Sequence, residues 1–210
     1  MTEIERLVEM MQVMRAEDGC PWDRQQTHAS LVQYLLEESH ELAEAIETGA
    51  ADDELIEELG DVLFQVVFHA EIARAEGRFD FERVARAVAD KMHSRHPHVF
   101  GDAPADLESV RVNWELLKAA EAGKESRSAV DDGVPAALPA LQRAQKVLGR
   151  IERRGGAPQD LVAAHADATA APSEQEFGDA LLALVQQARE RGWDAERALR
   201  DAVRRLADRA

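Results

Sequence analysis

The chain has 210 residues, of which 45% are hydrophobic and 31% charged, a balance typical of a soluble globular protein of one or two domains. Its net charge of -16 argues against binding to nucleic acid or to anionic membranes, because phosphate groups repel such a surface. The single cysteine, Cys20, excludes an internal disulfide framework, and neither a signal peptide nor a membrane-spanning apolar run is recognisable. We therefore expect a cytoplasmic protein with neither nucleic acid nor a membrane as a partner.

Apolar residues recur at steps of three and four along most of the chain, and no alternating β-branched run indicates a strand. We therefore predict an all-α protein. The first predicted helix presents one apolar face, made by Ile4, Leu7, Val8, Met11 and Met14. A turn-rich segment, residues 17–23, follows it, and Thr27 or Ser30 is predicted to cap the second helix.

Trp22 lies in that turn-rich segment among polar neighbours that include Asp23, Gln26 and His28. An indole ring with polar groups beside it is suited to stack on a nucleobase and to bind its edge. The alternative, which its position alone favours, is that Trp22 only covers the end of a helical bundle.

Acidic residues occupy helical spacings on the next two predicted helices. The second helix, from about Ser30 to Thr48 and ended by Gly49, carries Glu37, Glu38 and Glu41. The third, from about Asp53 to Glu76, carries Glu58 and Asp61 three residues apart, just before the nearly continuous apolar run 62–68.

A short turn between these helices makes them antiparallel, so the two groups of acids can meet. Carboxylates held close together away from water repel one another unless a cation neutralises them. Ligands that are all oxygen favour Mg²⁺ or Mn²⁺ over Zn²⁺. The alternative is an acidic solvated surface on a helical interaction module.

Basic residues follow on the fourth predicted helix, residues 81–95, where Lys91 and Arg95 are four apart. A later helix places Trp114 and Lys118 four apart. Such residues can bind phosphate oxygens, although ordinary surface ion pairs give the same pattern. Three histidines nearby are spaced too loosely around Pro97 to predict a zinc site, and they are His93, His96 and His98.

The acidic pattern, Glu37-Glu38-x-x-Glu41, sixteen residues and then Glu58-x-x-Asp61, resembles the signature of the all-α nucleoside triphosphate pyrophosphohydrolases. Several surrounding segments resemble the MazG family, namely residues 19–23, 26–28, 60–68 and 95–100. The resemblance covers about residues 1–121 and resumes at 138–150.

The resemblance implies a helical bundle that hydrolyses nucleoside triphosphates to monophosphates and pyrophosphate, through water attack on the α-phosphorus, in nucleotide-pool housecleaning. It implies Mg²⁺, with Mn²⁺ as a possible substitute, held by Glu38, Glu41, Glu58 and Asp61. Glu37 would lie behind the ligands or orient water. Nucleotide-binding positions implied in the same way are Lys91, Arg95, Trp114 and Lys118 for the phosphates and Trp22 and His28 for the base. Relatives of this kind associate, so we expect a homodimer or larger assembly with the active site near the interface.

A second, degenerate copy of the pattern follows. Gly60-Asp61 and the Gly77 turn reappear as Gly178-Asp179 and Gly192, which indicates internal duplication. We predict a catalytic domain at 1–121, a linker at 122–137 and a degenerate helical domain at 138–210. The second copy keeps Glu176 and Asp179 but lacks the Glu-Glu-x-x-Glu helix, so we predict that it is catalytically silent. A nucleotide-binding regulator without turnover is the alternative function.

Overall fold

Helices account for the regular secondary structure in the described part of the chain. The structure is a computed structural model that describes residues 1–119, 129–158 and 173–209. Those ranges contain no strand, so the all-α prediction is confirmed. Clustering of the chain's internal contacts separates two compact units, residues 1–118 and 119–210.

The first unit contains seven helices, built around the long fourth one. They are α1 (Glu3–Arg15), α2 (Pro21–Gln25), α3 (Val32–Thr48), α4 (Asp52–Ala75), α5 (Phe81–Arg95), α6 (Pro97–Phe100) and α7 (Leu107–Ala119). Helix α4 packs against α1, α3 and α5, which explains why it is apolar on more than one face. The core of the unit is formed by Met11, Leu31, Val67, Phe68 and Ile72.

Helices α3 and α4 form an antiparallel hairpin that carries the acidic residues. Residues 49–51 connect them, and Gly49 adopts the left-handed conformation, with φ 72°, that ends α3. The sequence prediction of 30–48 and 53–76 is therefore correct to within two residues. This tight connection brings the second half of α3 alongside the first half of α4.

Two local predictions before α3 need correction. The segment predicted as turns, residues 17–23, has turns and a bend at residues 17–19, but its end forms the five-residue helix α2, which begins with Pro21 and includes Trp22. Thr27 and Ser30 do not cap α3, because α3 begins after Leu31 and has no side-chain cap. Each side-chain oxygen of Thr27 and Ser30 accepts a hydrogen bond from the backbone N–H of the other residue, a reciprocal pair like a capping box, at the turn before α3.

The second unit contains α8 (Ala140–Arg153), α9 (Glu174–Glu190) and α10 (Ala195–Ala207), with Leu148 and Val185 in its core. The turn after α9 is built like the turn after α4. Gly192 and Gly77 have φ of 71° and 70°, and the residues Asp194 and Asp80 cap the helices that follow. The repeated sequence pattern thus corresponds to a repeated local structure.

Two further points concern the predicted boundaries and membranes. The predicted linker, residues 122–137, lies partly outside the described residues, and residues 129–138 form turns. His165 and Asp167, in the segment that replaces the acidic helix, lie wholly outside them. Among the helices of the described ranges, none has the length and apolar character to cross a membrane.

Candidate metal and nucleotide site

Three acidic side chains meet on the α3–α4 hairpin. Carboxylate oxygens of Glu38, Glu58 and Asp61 all lie within 4.8 Å of one another. Glu58 and Asp61 are three residues apart on α4 and share a face, and Glu38 reaches them from α3 because the two helices run antiparallel. Three of the four predicted metal ligands therefore form one cluster.

The fourth predicted ligand, Glu41, lies outside this 4.8 Å group but belongs to its electrostatic environment. Its carboxylate is exposed, one turn after Glu38 on α3. After burial and the charge of Asp61, the negative charge of Glu41 raises the pKa of Glu38, and after burial it raises the pKa of Glu58. Glu37 is exposed on α3, and its charge also acts on Glu38.

Burial and neighbouring negative charges disfavour ionisation of two carboxyls in the cluster. Burial raises the pKa of Glu38, and the charges of Asp61 and Glu41 raise it further. Burial likewise raises the pKa of Glu58, followed by the charges of Glu41 and Asp61. Both carboxyls are therefore less ready to ionise than an isolated glutamate, unless positive charge reaches them.

The donor set fits a hard divalent cation. Every candidate ligand is a carboxylate oxygen, and Glu58 Oε2 is buried with no hydrogen-bond partner among the described residues. A buried carboxylate oxygen without a partner is costly, and a cation bound between Glu38, Glu58 and Asp61 would remove that cost. These residues fit Mg²⁺ or Mn²⁺ better than Zn²⁺, because no cysteine or histidine joins the cluster among the residues described.

The predicted phosphate-binding residues are placed around the end of α5. The guanidinium of Arg95 lies over the Trp114 ring, 5.2 Å from its centroid. His96 contacts the same indole edge to face at 5.2 Å, so α5 and α7 are joined by an aromatic and cationic contact. Lys91 is exposed one turn before Arg95, whereas the side chain of Lys118 lies outside what the structure describes.

The two predicted base-binding residues, Trp22 and His28, contact different partners. Trp22 is half exposed and packs edge to face against Tyr34 of α3, with ring centroids 5.8 Å apart. His28, in the turn before α3, forms a hydrogen bond between its Nδ1 and the Nδ1 of His69, at 2.8 Å. The other ring nitrogen of His28, Nε2, accepts a hydrogen bond from Arg78.

Sequence reasoning missed two polar residues of α4, Gln65 and His69. They follow Asp61 at four and eight residues, inside a helix judged apolar by its neighbours. Gln65 is only 5% exposed, and its Oε1 has no hydrogen-bond partner in the part of the chain that the structure describes. His69 Nε2 is also buried and has no partner in the same residues. The available signal was Gln65 itself, a polar residue inside the apolar run 62–68 and four residues after Asp61.

In the second unit, Glu176 occupies the position that corresponds to Glu58 but has a different role. Ser173 caps α9, and its hydroxyl donates to the Glu176 carboxylate at 2.8 Å while it accepts from the Glu176 N–H. Glu176 therefore serves a helix cap of the serine-x-x-glutamate type. Glu58 instead lies well inside α4, which begins at Asp52.

Comparisons with known proteins show which proteins this chain resembles. A family model described as "MazG nucleotide pyrophosphohydrolase domain" matches residues 26–100. A protein of Escherichia coli (strain K12) named "Nucleoside triphosphate pyrophosphohydrolase" is 43% identical over 220 residues, with 96% of this chain and 83% of that protein covered. A Thermotoga maritima protein named "Nucleoside triphosphate pyrophosphohydrolase/pyrophosphatase MazG" is 41% identical over 216 residues, with 98% of this chain and 83% of that protein covered.

One solved structure is also similar. It is described as the crystal structure of a mazG-related protein from Thermotoga maritima, and it is 30% identical with a TM-score of 0.47. The similarity covers 54% of this chain and 97% of that one.

Proposed function

This chain belongs to the MazG family, and we propose that it hydrolyses nucleoside triphosphates to nucleoside monophosphates and pyrophosphate with the help of Mg²⁺. The proposal is carried by the cluster of Glu38, Glu58 and Asp61, whose carboxylates lie within 4.8 Å of one another. Two relatives, each matched over 83% of its own length, bear the name nucleoside triphosphate pyrophosphohydrolase. A cytoplasmic role in clearing unwanted triphosphates from the nucleotide pool is part of the proposal.

The metal ligands proposed are the three clustered residues together with Glu41. The unpartnered Glu58 Oε2 supports this assignment, because a protein rarely buries such an atom without a function for it. When bound, Mg²⁺ supplies positive charge that offsets the triphosphate and lowers the pKa of water. Glu41 lies one turn from Glu38, close enough for its charge to raise the pKa of Glu38, and so can complete the ligand set.

The remaining roles fall to residues around the cluster. We assign Glu37, exposed next to Glu38, the orientation of the attacking water. Water attacks the α-phosphorus, and the bond between that phosphorus and the oxygen bridging the α and β phosphates breaks. Pyrophosphate leaves and carries the negative charge that develops on this oxygen. Lys91, Arg95 and Lys118 are proposed to offset that charge. Arg95 is already held by Trp114, so its guanidinium is ordered before the substrate arrives.

The choice of the α-phosphorus comes from the family and from no distance in the site. Metal and phosphate ligands alone would serve equally for release of the γ-phosphate. Incubation of the chain with nucleoside triphosphate and Mg²⁺ is expected to release pyrophosphate and nucleoside monophosphate. Release of orthophosphate and nucleoside diphosphate would contradict the proposal.

Loss of a single ligand tests the site itself. Asp61→Asn keeps the size of the side chain and removes its charge, so turnover is expected to fall by at least about a hundredfold, with the far-UV circular dichroism unchanged. Glu44→Gln on the exposed face of α3 is the matched control and is expected to retain activity. An unchanged rate in Asp61→Asn would refute the assignment.

We also propose that the chain forms a homodimer or larger assembly through the outer face of the α3–α4 hairpin. This face leaves large apolar side chains exposed, and several are more than half exposed, namely Leu36, Ile46, Ile56 and Leu59. Apolar surface of this extent on neighbouring helices favours an interface. Light scattering is expected to give at least the mass of a dimer, and a monomer at micromolar concentration would contradict it.

A further inference from the structure

The acidic cluster continues along α4 as a line of polar side chains. Gln65 lies four residues after Asp61, and His69 lies four residues after Gln65, so the three share one face of the helix. From Asp61 to His69 is two turns, about 12 Å along the helix axis. That length is comparable to the distance from the α-phosphorus of an extended nucleotide to the edge of its base.

Contacts with α3 show which surface this line faces. Glu38 meets Asp61 at one end of the hairpin, and His28, just before α3, meets His69 at the other. Gln65 lies between these two contacts along α4, and Tyr34 lies four residues before Glu38 on α3. Tyr34 packs against the half-exposed ring of Trp22, so an aromatic surface accompanies the polar line.

Two polar atoms on this line have no hydrogen-bond partner within residues 1–119, 129–158 and 173–209. Gln65 is 5% exposed and its Oε1 accepts no hydrogen bond, while His69 Nε2 is buried and equally unpartnered. Each such atom costs free energy unless something binds it. The two residues are neighbours on the helix, so one ligand can satisfy both.

The hydrogen-bond chain determines what His69 offers. The guanidinium of Arg78 can only donate, so His28 Nε2 must accept and His28 carries its proton on Nδ1. His28 Nδ1–H therefore donates to His69 Nδ1, which leaves the proton of neutral His69 on Nε2. His69 thus presents a donor beside the acceptor Oε1 of Gln65.

We infer that Gln65 and His69 bind the edge of the substrate's nucleobase, with His28 and Arg78 as positioning residues that fix the tautomer of His69. This inference rests on the proposed function, which puts the phosphates at Glu38, Glu58 and Asp61. The pair is complementary to a base edge that offers one donor and one acceptor, and Trp22 supplies a surface on which the base can stack.

The first test uses the unaltered chain and its substrates. The preferred triphosphate among ATP, CTP, GTP and UTP is identified first, and its hydrolysis is compared with that of an analogue whose base edge lacks the donor group. The analogues are purine riboside triphosphate for ATP, 2-pyrimidinone riboside triphosphate for CTP, N1-methylguanosine triphosphate for GTP and N3-methyluridine triphosphate for UTP. For whichever parent base is preferred, kcat/KM is expected to fall by at least about tenfold, equivalent to ~1.4 kcal/mol, when that group is missing. Equal values for parent and analogue would overturn the inference.

The second test uses variants and a base-free substrate, ribose 5-triphosphate. Gln65→Met removes the acceptor at similar volume and is expected to lower kcat/KM for the preferred triphosphate by about tenfold, mainly through KM. Hydrolysis of ribose 5-triphosphate is expected to stay unchanged. An equal loss with the base-free substrate would contradict base recognition.

Control variants separate positioning from folding. Gln186→Met alters another buried glutamine whose Oε1 is unpartnered, but in the second unit, and is expected to leave base preference unchanged. His69→Gln keeps a donor near the Nε2 position and is expected to preserve the preference that His69→Leu removes. Should Gln65→Met fail to fold, the His69 pair decides, and identical preferences in both His69 variants would overturn the inference. An unaltered chain that cleaves no triphosphate would instead refute the proposed function.

Discussion

Replacing Glu38 by glutamine is expected to stabilise the metal-free protein and to weaken its stabilisation by Mg²⁺. Glu38 is half-buried, and its pKa is raised first by burial and then by the charges of Asp61 and Glu41. Glutamine keeps the shape of the side chain and removes the charge. The same substitution deletes a proposed metal ligand, so one change has opposite effects with and without metal.

The magnitudes follow from the geometry. Glu38 and Asp61 have carboxylate oxygens within 4.8 Å of each other, and two unit charges at that separation repel by about 0.9 kcal/mol in a water-like medium. Because Asp61 is exposed and salt screens the pair, we count at most about 1 kcal/mol for the charge of Glu38, or about 4 °C in Tm for a unit of this size. Mg²⁺ at about a hundred times its Kd adds about 2.7 kcal/mol, or about 10 °C.

The assay is thermal unfolding of the full chain near pH 8, followed by circular dichroism in EDTA and then in excess Mg²⁺. In EDTA the variant is expected to melt a few degrees above the unaltered protein, and in Mg²⁺ several degrees below it. Glu44→Gln, which removes an exposed charge from the same helix, is expected to melt with the unaltered protein in both buffers. If Glu38→Gln lowered Tm in EDTA, or left the Mg²⁺ response intact, the electrostatic reasoning would be refuted.

Three further outcomes are expected. The folded-state pKa values of Glu38 and Glu58 are raised above 4.5, so protonation of these two groups stabilises the metal-free fold, and this contribution is lost as the pH rises through the raised values. Because protons compete with the metal for the same carboxylates, Mg²⁺ is expected to raise Tm less at acidic pH than at neutral pH. Gly19→Ala would place a Cβ 2.3 Å from the Val13 carbonyl oxygen and should cost about 1–3 kcal/mol in urea unfolding, whereas Gly178→Ala, in open space within α9, should stabilise by about 0.5–1 kcal/mol. The double substitution of Glu176→Gln and Asp179→Asn should leave kcat unchanged, and a large loss of turnover would show that the second unit is not silent.

The meeting of the acids was predictable because it depends on helix periodicity and on a short connection, whereas their role as metal ligands came from the family resemblance. Glu58 and Asp61 share a face at any point along a regular helix, and the short connection at Gly49 leaves α3 few ways to pack other than antiparallel. The position of Glu41 depends on side-chain direction as well as spacing. Glu41 is among the predicted ligands because of the family resemblance, and it lies outside the 4.8 Å group.

The segment between α1 and α3 could not be predicted in the same way. Five residues of α2 are too few to show a period, and Pro21 is compatible with both a turn and the first residue of a helix. Thr27 and Ser30 form the reciprocal bonds of a capping box, but around the turn that precedes α3 and not at its first residue, Val32. The contact of His28 with His69 joins residues 41 positions apart, which no local pattern records.

Hydrolysis in water enriched in oxygen-18 tests the central claim most directly, because it identifies the phosphorus atom that water attacks. If the site delivers water to the α-phosphorus, the label is expected in the nucleoside monophosphate, with unlabelled pyrophosphate. Label in pyrophosphate, or in released orthophosphate, would contradict the account of how this site acts on its substrate.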